Sequence, residues 1–431
     1  MNPGDIIDLE LTGVAHGGVF VGRHEGRVVF VPDVLPGERA RVRLTDTAKS
    51  SFWRGEALEV LDASPHRRAH VWRQADIDVP PEHRPGGADF GHIDLAHQRD
   101  LKLEVLRDAL ARIGRLDVPA TIGPALPVVS PSGEVLADES ADGTGWRTRV
   151  SLHVDADGAI GPFAARSHRV IAVDELPLAT PEVARAGLGA RIAKPGRIDL
   201  VQPADGRVRV IPRPETTRGA RRPPAPAEAR ETVIERVGGR DFRVDAGGFW
   251  QVHRLAAHAL TTLVTDALRD TTIDQDAAHL DLYGGVGLFA ATLAELGATR
   301  IVSVESDPRA TEHAGENLAE WVGARAETGR VDRWLTGLAA TASAAERERL
   351  TRGVVLLDPP RAGAGREVVE RIAGLAPAAV VYVACDPVAL ARDLATFRTL
   401  GYETPRVQAL DLFPHSHHVE SVAVLTPASL A

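Results

Sequence analysis

Over residues 1–62 the chain alternates apolar and polar positions in short runs. These are "DIIDLEL", "GVFVGRHE", "RVVFVP", "RARVRLT" and "SFWRGEALEVL", set apart by Gly and Pro. Five short strands at that spacing predict a small OB-like β-barrel. Residues 63–245 mix two periods. "DLAHQRDLKLEVLRDALARIGRL" puts Leu101, Val105, Leu106, Leu110 and Ile113 at helical spacing and ends near Gly114. "GWRTRVSLHVDADGAIGPFAARSHRVIAV" then alternates as strands around a "DADG" turn, which predicts a central α+β unit. From residue 246 onward the pattern changes again. Apolar runs ("HLDLY", "RIVSVE", "VVLLD", "AVVYVAC") take turns with helical segments, the mark of parallel strands covered on both faces. "PRVQALDLF" and "VESVAVLTP" predict a closing antiparallel pair. The expected division is therefore 1–62, 63–245 and 246–431, the last a doubly wound α/β sheet.

Composition narrows the chemistry. Hydrophobic residues make up 44% and charged residues 25% of the 431, ordinary for a globular chain. Cys385 is the only cysteine, which excludes internal disulfides and cysteine-ligated zinc or iron–sulfur sites. The N-terminus lacks the basic-then-apolar pattern of a signal peptide, and no apolar run approaches the roughly 20 residues of a membrane span. A cytoplasmic, monomeric protein is expected. The net charge of −9 argues mildly against a nucleic-acid partner, although it says little about local patches. Lysine occurs only at Lys49, Lys102 and Lys194 among 50 basic residues. The arginine bias suits phosphate binding, and it also suits a GC-rich genome.

In a doubly wound sheet, ligands bind beyond the carboxyl ends of the strands. "LDLYGGVGLFA" sets Gly284, Gly285 and Gly287 directly after a strand, where missing side chains let backbone approach a ligand. Glu305 ends the next strand, placed to accept hydrogen bonds from ribose hydroxyls. The strict G-x-G-x-x-G of dinucleotide enzymes is absent, with Ala290 in its final position. "LLDPPR" at the end of a later strand is common where a methyltransferase grips a planar base. Both features favour S-adenosylmethionine over NAD. For Cys385 itself, a buried small hydrophobe and a nucleophile are both compatible with its position.

The motifs "GGFWQVH", "LDLYGGVG", "VVLLDPPRAG", "VYVACDPVALARDL" and "LFPHSHHVESVAVL", in that order, resemble the RNA (uracil-carbon-5) methyltransferase family, and residues 1–62 are similar to the TRAM domain that often precedes its catalytic part. The resemblance implies a class I S-adenosylmethionine methyltransferase fold and an RNA substrate, either tRNA or 23S rRNA. It gives Gln251, Tyr283, Glu305 and Asp358 to the S-adenosylmethionine site. Cys385 becomes the nucleophile, and Glu420 the base that takes the carbon-5 proton. The thiol is then expected below its free pKa of about 8.5, helped by the helix beginning at Pro387. Asp386 opposes that unless it caps the helix.

Other positions depart from the family pattern. Leu288 replaces an asparagine contact to the cofactor, and Ala384 and Asp386 flank the cysteine in place of Ser and Asn. Many members hold an iron–sulfur cluster; here Pro85, Ala88 and Leu176 stand where its cysteines would be, so no cluster is expected. Arg147, Arg149 and the cluster Arg213, Arg218, Arg221 and Arg222 are candidate RNA contacts. Phe20, Phe30, Phe52 and Trp53 are either base-stacking or core residues of the barrel. The "HSHH" run, His415, His417 and His418, is expected to act structurally or beside the base and not as a metal site.

Overall fold

The computed structural model describes residues 1–165, 167–192, 194–215, 224–269 and 271–428. Each alternating run of the N-terminal segment becomes a strand: Ile6–Ala15, Val19–His24, Arg27–Val31, Arg39–Asp46 and Phe52–Asp62. They close into a barrel in which the fifth strand sits between the third and fourth. Period-two burial turns Ile7, Leu9 and Leu11 inward, against Phe20, Val29, Val42 and Trp53. Phe20 and Trp53 are thus core residues. Phe30 and Phe52 are half-buried and meet edge-on, with ring centroids 5.5 Å apart.

The middle of the chain builds a four-stranded antiparallel sheet from Arg149–Val154, Ile160–Gly161, Gly196–Val201 and Arg209–Pro214. A hairpin, Thr232–Val237 with Arg240–Asp245, follows. The predicted helix runs from Leu95 to Asp108, with the Asp94 side chain accepting the His97 N–H at its N-cap. It ends in a wider turn, Ala109–Ile113, before Gly114.

The third segment forms the expected large sheet. Its strands run in the spatial order Ala324–Thr328, Ile301–Glu305, His279–Leu282, Val354–Leu357, Ala379–Ala384, Glu420–Pro427 and Val407–Asp411. The first five are parallel, and Glu420–Pro427 is antiparallel to both of its neighbours. Ala120–Pro124, from the middle of the chain, extends this sheet by pairing in parallel with Val407–Asp411. Apolar side chains cover both faces in two clusters, one around Leu260, Phe289 and Leu293, the other around Leu390, Leu394 and Phe397. Among the described residues no helix is long and apolar enough to cross a membrane.

A buried ion pair ties the central helix to the far edge of the sheet. Lys102 Nζ donates to Asp411, both side chains fully buried, and to the Phe413 carbonyl at 3.0 Å. Burial pulls the Lys102 pKa down while Asp411 holds it up. Removing Lys102 would leave the buried Asp411 carboxylate with only Arg99, 3.4 Å away, to balance it. Lys102→Met is therefore expected to cost about 3 kcal/mol, read as a lower urea midpoint; an unchanged midpoint would show that the pair carries no stability.

Candidate active site

Strand register decides which side chains meet. Leu282 pairs with Val304 and with Leu357, so the next residues, Tyr283, Glu305 and Asp358, leave adjacent strand ends together. Ala384 pairs with Ser421 across an antiparallel ladder, which sets Cys385 beside Glu420. These five residues and Gln251 all line one cavity of about 1530 Å³. The structure thus brings together every residue assigned to the site by sequence.

At one end of the cavity lies the glycine loop. Tyr283 and Gly285 adopt positive φ, and Gly287, also at positive φ, caps the helix Leu288–Glu295. A Cβ on Gly284 would collide with Ser303 Oγ, so only glycine fits this close approach. Glu305 accepts the Gly285 N–H at 3.2 Å and the Asp307 N–H at 2.8 Å, which pins its carboxylate against the loop. Leu288 lines the same cavity and packs into the core. Asp281, which sequence reasoning missed, lies buried beneath the loop. It accepts from Ser303 Oγ at 2.9 Å and from Ala290 N at 3.2 Å. Burial pushes its carboxyl up to about 7. Its place inside a buried strand, in "HLDLY", was the available signal.

At the other end are Cys385, Glu420 and Asp358. Glu420 is 6% exposed, and its Oε2 has no hydrogen-bond partner. Burial, with the Asp358 charge added, lifts its pKa well above the carboxylate range. Asp358 rises to about 7, again by burial first and then by Asp281. The Cys385 thiol is pushed up to about 12 by burial and by the negative potential of Glu420 and Asp358, with Arg361 opposing. This reverses the expectation of a depressed thiol pKa: desolvation outweighs the helix N-terminus. Asp386 does cap that helix, accepting the Ala389 N–H at 2.8 Å.

The cavity wall away from the sheet comes from the middle of the chain. Gln251 sits on a loop whose neighbours pair with residues 146–148: Thr148 N donates to the Val252 carbonyl at 2.8 Å and Arg254 N to the Trp146 carbonyl at 2.9 Å. Arg147 lines the cavity. Arg149, the other candidate RNA contact in this stretch, is turned inward. It is buried against Glu235 at 3.0 Å and donates to the Gly248 carbonyl at 2.8 Å, holding the loop that carries Gln251. Arg213 lines the cavity and pairs with Asp199, while Arg218, Arg221 and Arg222 lie outside the described residues.

The three histidines face three different partners. His415 Nε2 meets the Asp142 carbonyl at 2.7 Å, His417 meets Asp89 at 2.6 Å, and Arg361 donates to His418 at 3.1 Å. Among the described residues no group of three His, Cys, Asp or Glu could hold a metal ion. Of the positions given to cluster cysteines, Pro85, Ala88 and Leu176 are all buried, and Ala88 and Leu176 pack with Trp72 and Ala75. Apolar side chains there supply no donor for iron.

A thiol at about 12 is almost wholly protonated at neutral pH, and it predicts a simple titration. The rate of Cys385 alkylation by iodoacetamide should keep climbing past pH 9. A plateau near the ordinary thiol pKa of about 8.5 would show that burial does not control the sulfur.

Comparison with known proteins identifies the family. Residues 2–58 match the TRAM domain model, and residues 235–427 match the model described as tRNA (uracil-5-)-methyltransferase. A protein of Streptomyces avermitilis described as an uncharacterized RNA methyltransferase is 38% identical over 99% of both chains. One of Streptomyces coelicolor, described likewise, is 36% identical over 99% of this chain and 94% of its own. The fold is similar to that of Pyrococcus abyssi tRNA (uracil-54, C5)-methyltransferase in complex with S-adenosyl-L-homocysteine. The TM-score is 0.67 at 22% identity, over 97% of this chain and 99% of that one. With its barrel, its doubly wound sheet and the cavity at the strand ends, the chain belongs to the TRAM-bearing RNA (uracil-5-)-methyltransferase family.

Proposed function

We propose that the protein methylates carbon 5 of a uridine in structured RNA, tRNA or 23S rRNA, through a covalent bond from Cys385 to carbon 6. The observation that carries this reading is the cross-strand placement of Cys385 beside a buried, unpartnered Glu420 in the cavity that the glycine loop also lines. A nitrogen-methylating enzyme needs neither group.

The cavity exceeds the roughly 300–1,000 Å³ of a common ligand pocket, leaving room for a methyl donor and a flipped base together. The bare backbone at Gly284 and the pinned Glu305 fit S-adenosylmethionine at one end. Glu305 would accept from its ribose, with Gln251, Tyr283 and Asp358 completing the contacts. When bound, S-adenosylmethionine supplies an electrophilic methyl group.

The rest of the chemistry belongs to this chain's side chains. Carbon 5 of uracil is a poor nucleophile. Cys385 first gives up its proton to water in the open cavity; addition of the thiolate to carbon 6 then makes an enolate and places electron density on carbon 5. Once carbon 5 carries its methyl group, Glu420 removes the remaining carbon-5 proton. That electron pair re-forms the ring double bond and expels the sulfur. A carboxylate stripped of water and of hydrogen-bond partners is a strengthened base for this step. Asp358, on the strand between the glycine loop and Cys385, holds its proton near neutrality and can donate it to the uracil edge. The division into a barrel (1–62), a central RNA-facing part (63–245) and a catalytic part (246–431) belongs to the same reading.

Tritium release from RNA carrying 5-tritiated uridine, with S-adenosylmethionine, tests it on tRNA and 23S rRNA separately. Wild type should release tritium, Cys385→Ala should release none, and Glu420→Gln should be slower by about 10²–10⁴-fold. Methyl transfer without tritium release would overturn the carbon-5 assignment and point to an exocyclic nitrogen.

A further inference from the structure

The tip of the first barrel hairpin reaches the catalytic centre. His16 Nε2 lies 2.9 Å from Asp386 Oδ2, on the residue that follows Cys385. The same Asp386 carboxylate caps the helix Pro387–Thr399 through its other oxygen, so one side chain joins the barrel, the nucleophile's neighbour and the helix start. The docking is close. A Cβ on Gly18 would collide with the Asp89 carboxylate and lie 2.9 Å from His417 Nδ1. Asp89 in turn pairs with His417, three residues before Glu420. A small cavity of about 90 Å³ runs behind Cys385, lined by His16, Gly17, Asp386 and His417.

We propose that His16 is a positioning residue for the nucleophile: it fixes Asp386 and offsets its charge, so that Cys385 reacts faster at neutral and lower pH than it would beside an unpaired Asp386. The proposal rests on Cys385 being the nucleophile and makes the barrel part of the active site as well as an RNA-binding module. An unpaired Asp386 next to the thiol would oppose thiolate formation, adding to Glu420 and Asp358 on the other side. His16 supplies the opposing charge. Its hydrogen bond to Asp386 holds its pKa above the ordinary histidine range, and Asp386 in turn is held below the carboxylate range. The protonated pair is therefore present at neutral and lower pH and is lost as pH rises through the His16 pKa. Lys102, Arg361, His417 and His418 also border this cavity, and they remain in every variant below.

Because the chain has a single cysteine, alkylation by iodoacetamide reads this one thiol without RNA or methyl donor. His16→Ala should slow the reaction about three- to tenfold at about pH 6, with the gap narrowing toward about pH 9. In an Asp386→Asn background, where no charge needs offsetting, removal of His16 should change the rate little. His16→Gln keeps a side-chain donor without the charge, so it should fold and should also be slow at low pH. It serves if His16→Ala is unstable. Wild-type rates in the folded His16 variants at low pH, or an equal loss in the Asp386→Asn background, would overturn the proposal. Tritium release by Cys385→Ala would remove the nucleophile assignment instead, leaving the alkylation result intact.

Discussion

Antiparallel pairing of the last strand with the strand that ends at Ala384 is the constraint on which the site depends. Side chains alternate along a strand, so a slip of one residue would send Glu420 or Cys385 to the opposite face. The Ala384–Ser421 register prevents that, and four further pairs, from Val380–Leu425 to Val383–Val422, lock it. Both strands are buried nearly throughout, so the register is held by packing on two faces. The parallel half of the sheet does the same for Tyr283, Glu305 and Asp358. The cavity is therefore set by sheet order, with the loops that follow the strands forming its ends and outer wall.

Placing Asp358, Glu420 and a thiol along one cavity, with Asp281 buried beneath its glycine loop, has an electrostatic cost. Asp281, Asp358 and Glu420 all have raised pKa values, with burial as the first cause each time. The thiol follows them upward. At rest, burial thus favours the protonated forms of both Cys385 and Glu420. Arg361 is the nearby cation that acts against this. The Lys102–Asp411 pair and the His417–Asp89 contact fix the segment leading to Glu420 from outside the sheet.

Much of this was legible in the chain. The five barrel strands announced themselves by alternation between Gly and Pro punctuation, and four parallel strands by mainly apolar, buried runs. Two sheet strands carried no such signal. Ala324–Thr328, "ARAET", lies at a sheet edge, where exposed charged positions are allowed; Ala120–Pro124, "ATIGP", pairs at the opposite edge despite its Gly and Pro. The site residues were named through motifs, and their meeting follows from register. The thiol pKa was not legible, because a helix N-terminus can be read from Asp386 and Pro387, whereas burial beside Glu420 exists only after folding. The inward pairing of Arg149 was not legible for a similar reason. An arginine in an alternating strand looks like a surface contact until its carboxylate partner, Glu235, arrives from a strand 86 positions away.

The proposed chemistry turns on whether the sulfur of Cys385 bonds to the base during turnover. It is tested most directly with RNA carrying 5-fluorouridine and S-adenosylmethionine. Fluorine cannot leave carbon 5 as a proton does, so a base that has bonded to the sulfur and accepted a methyl group stays attached. A protein–RNA complex that survives denaturation is expected, with the cross-link mapped by mass spectrometry to Cys385 and absent from Cys385→Ala. Methylation of ordinary RNA with no such complex, or a cross-link at another residue, would contradict it.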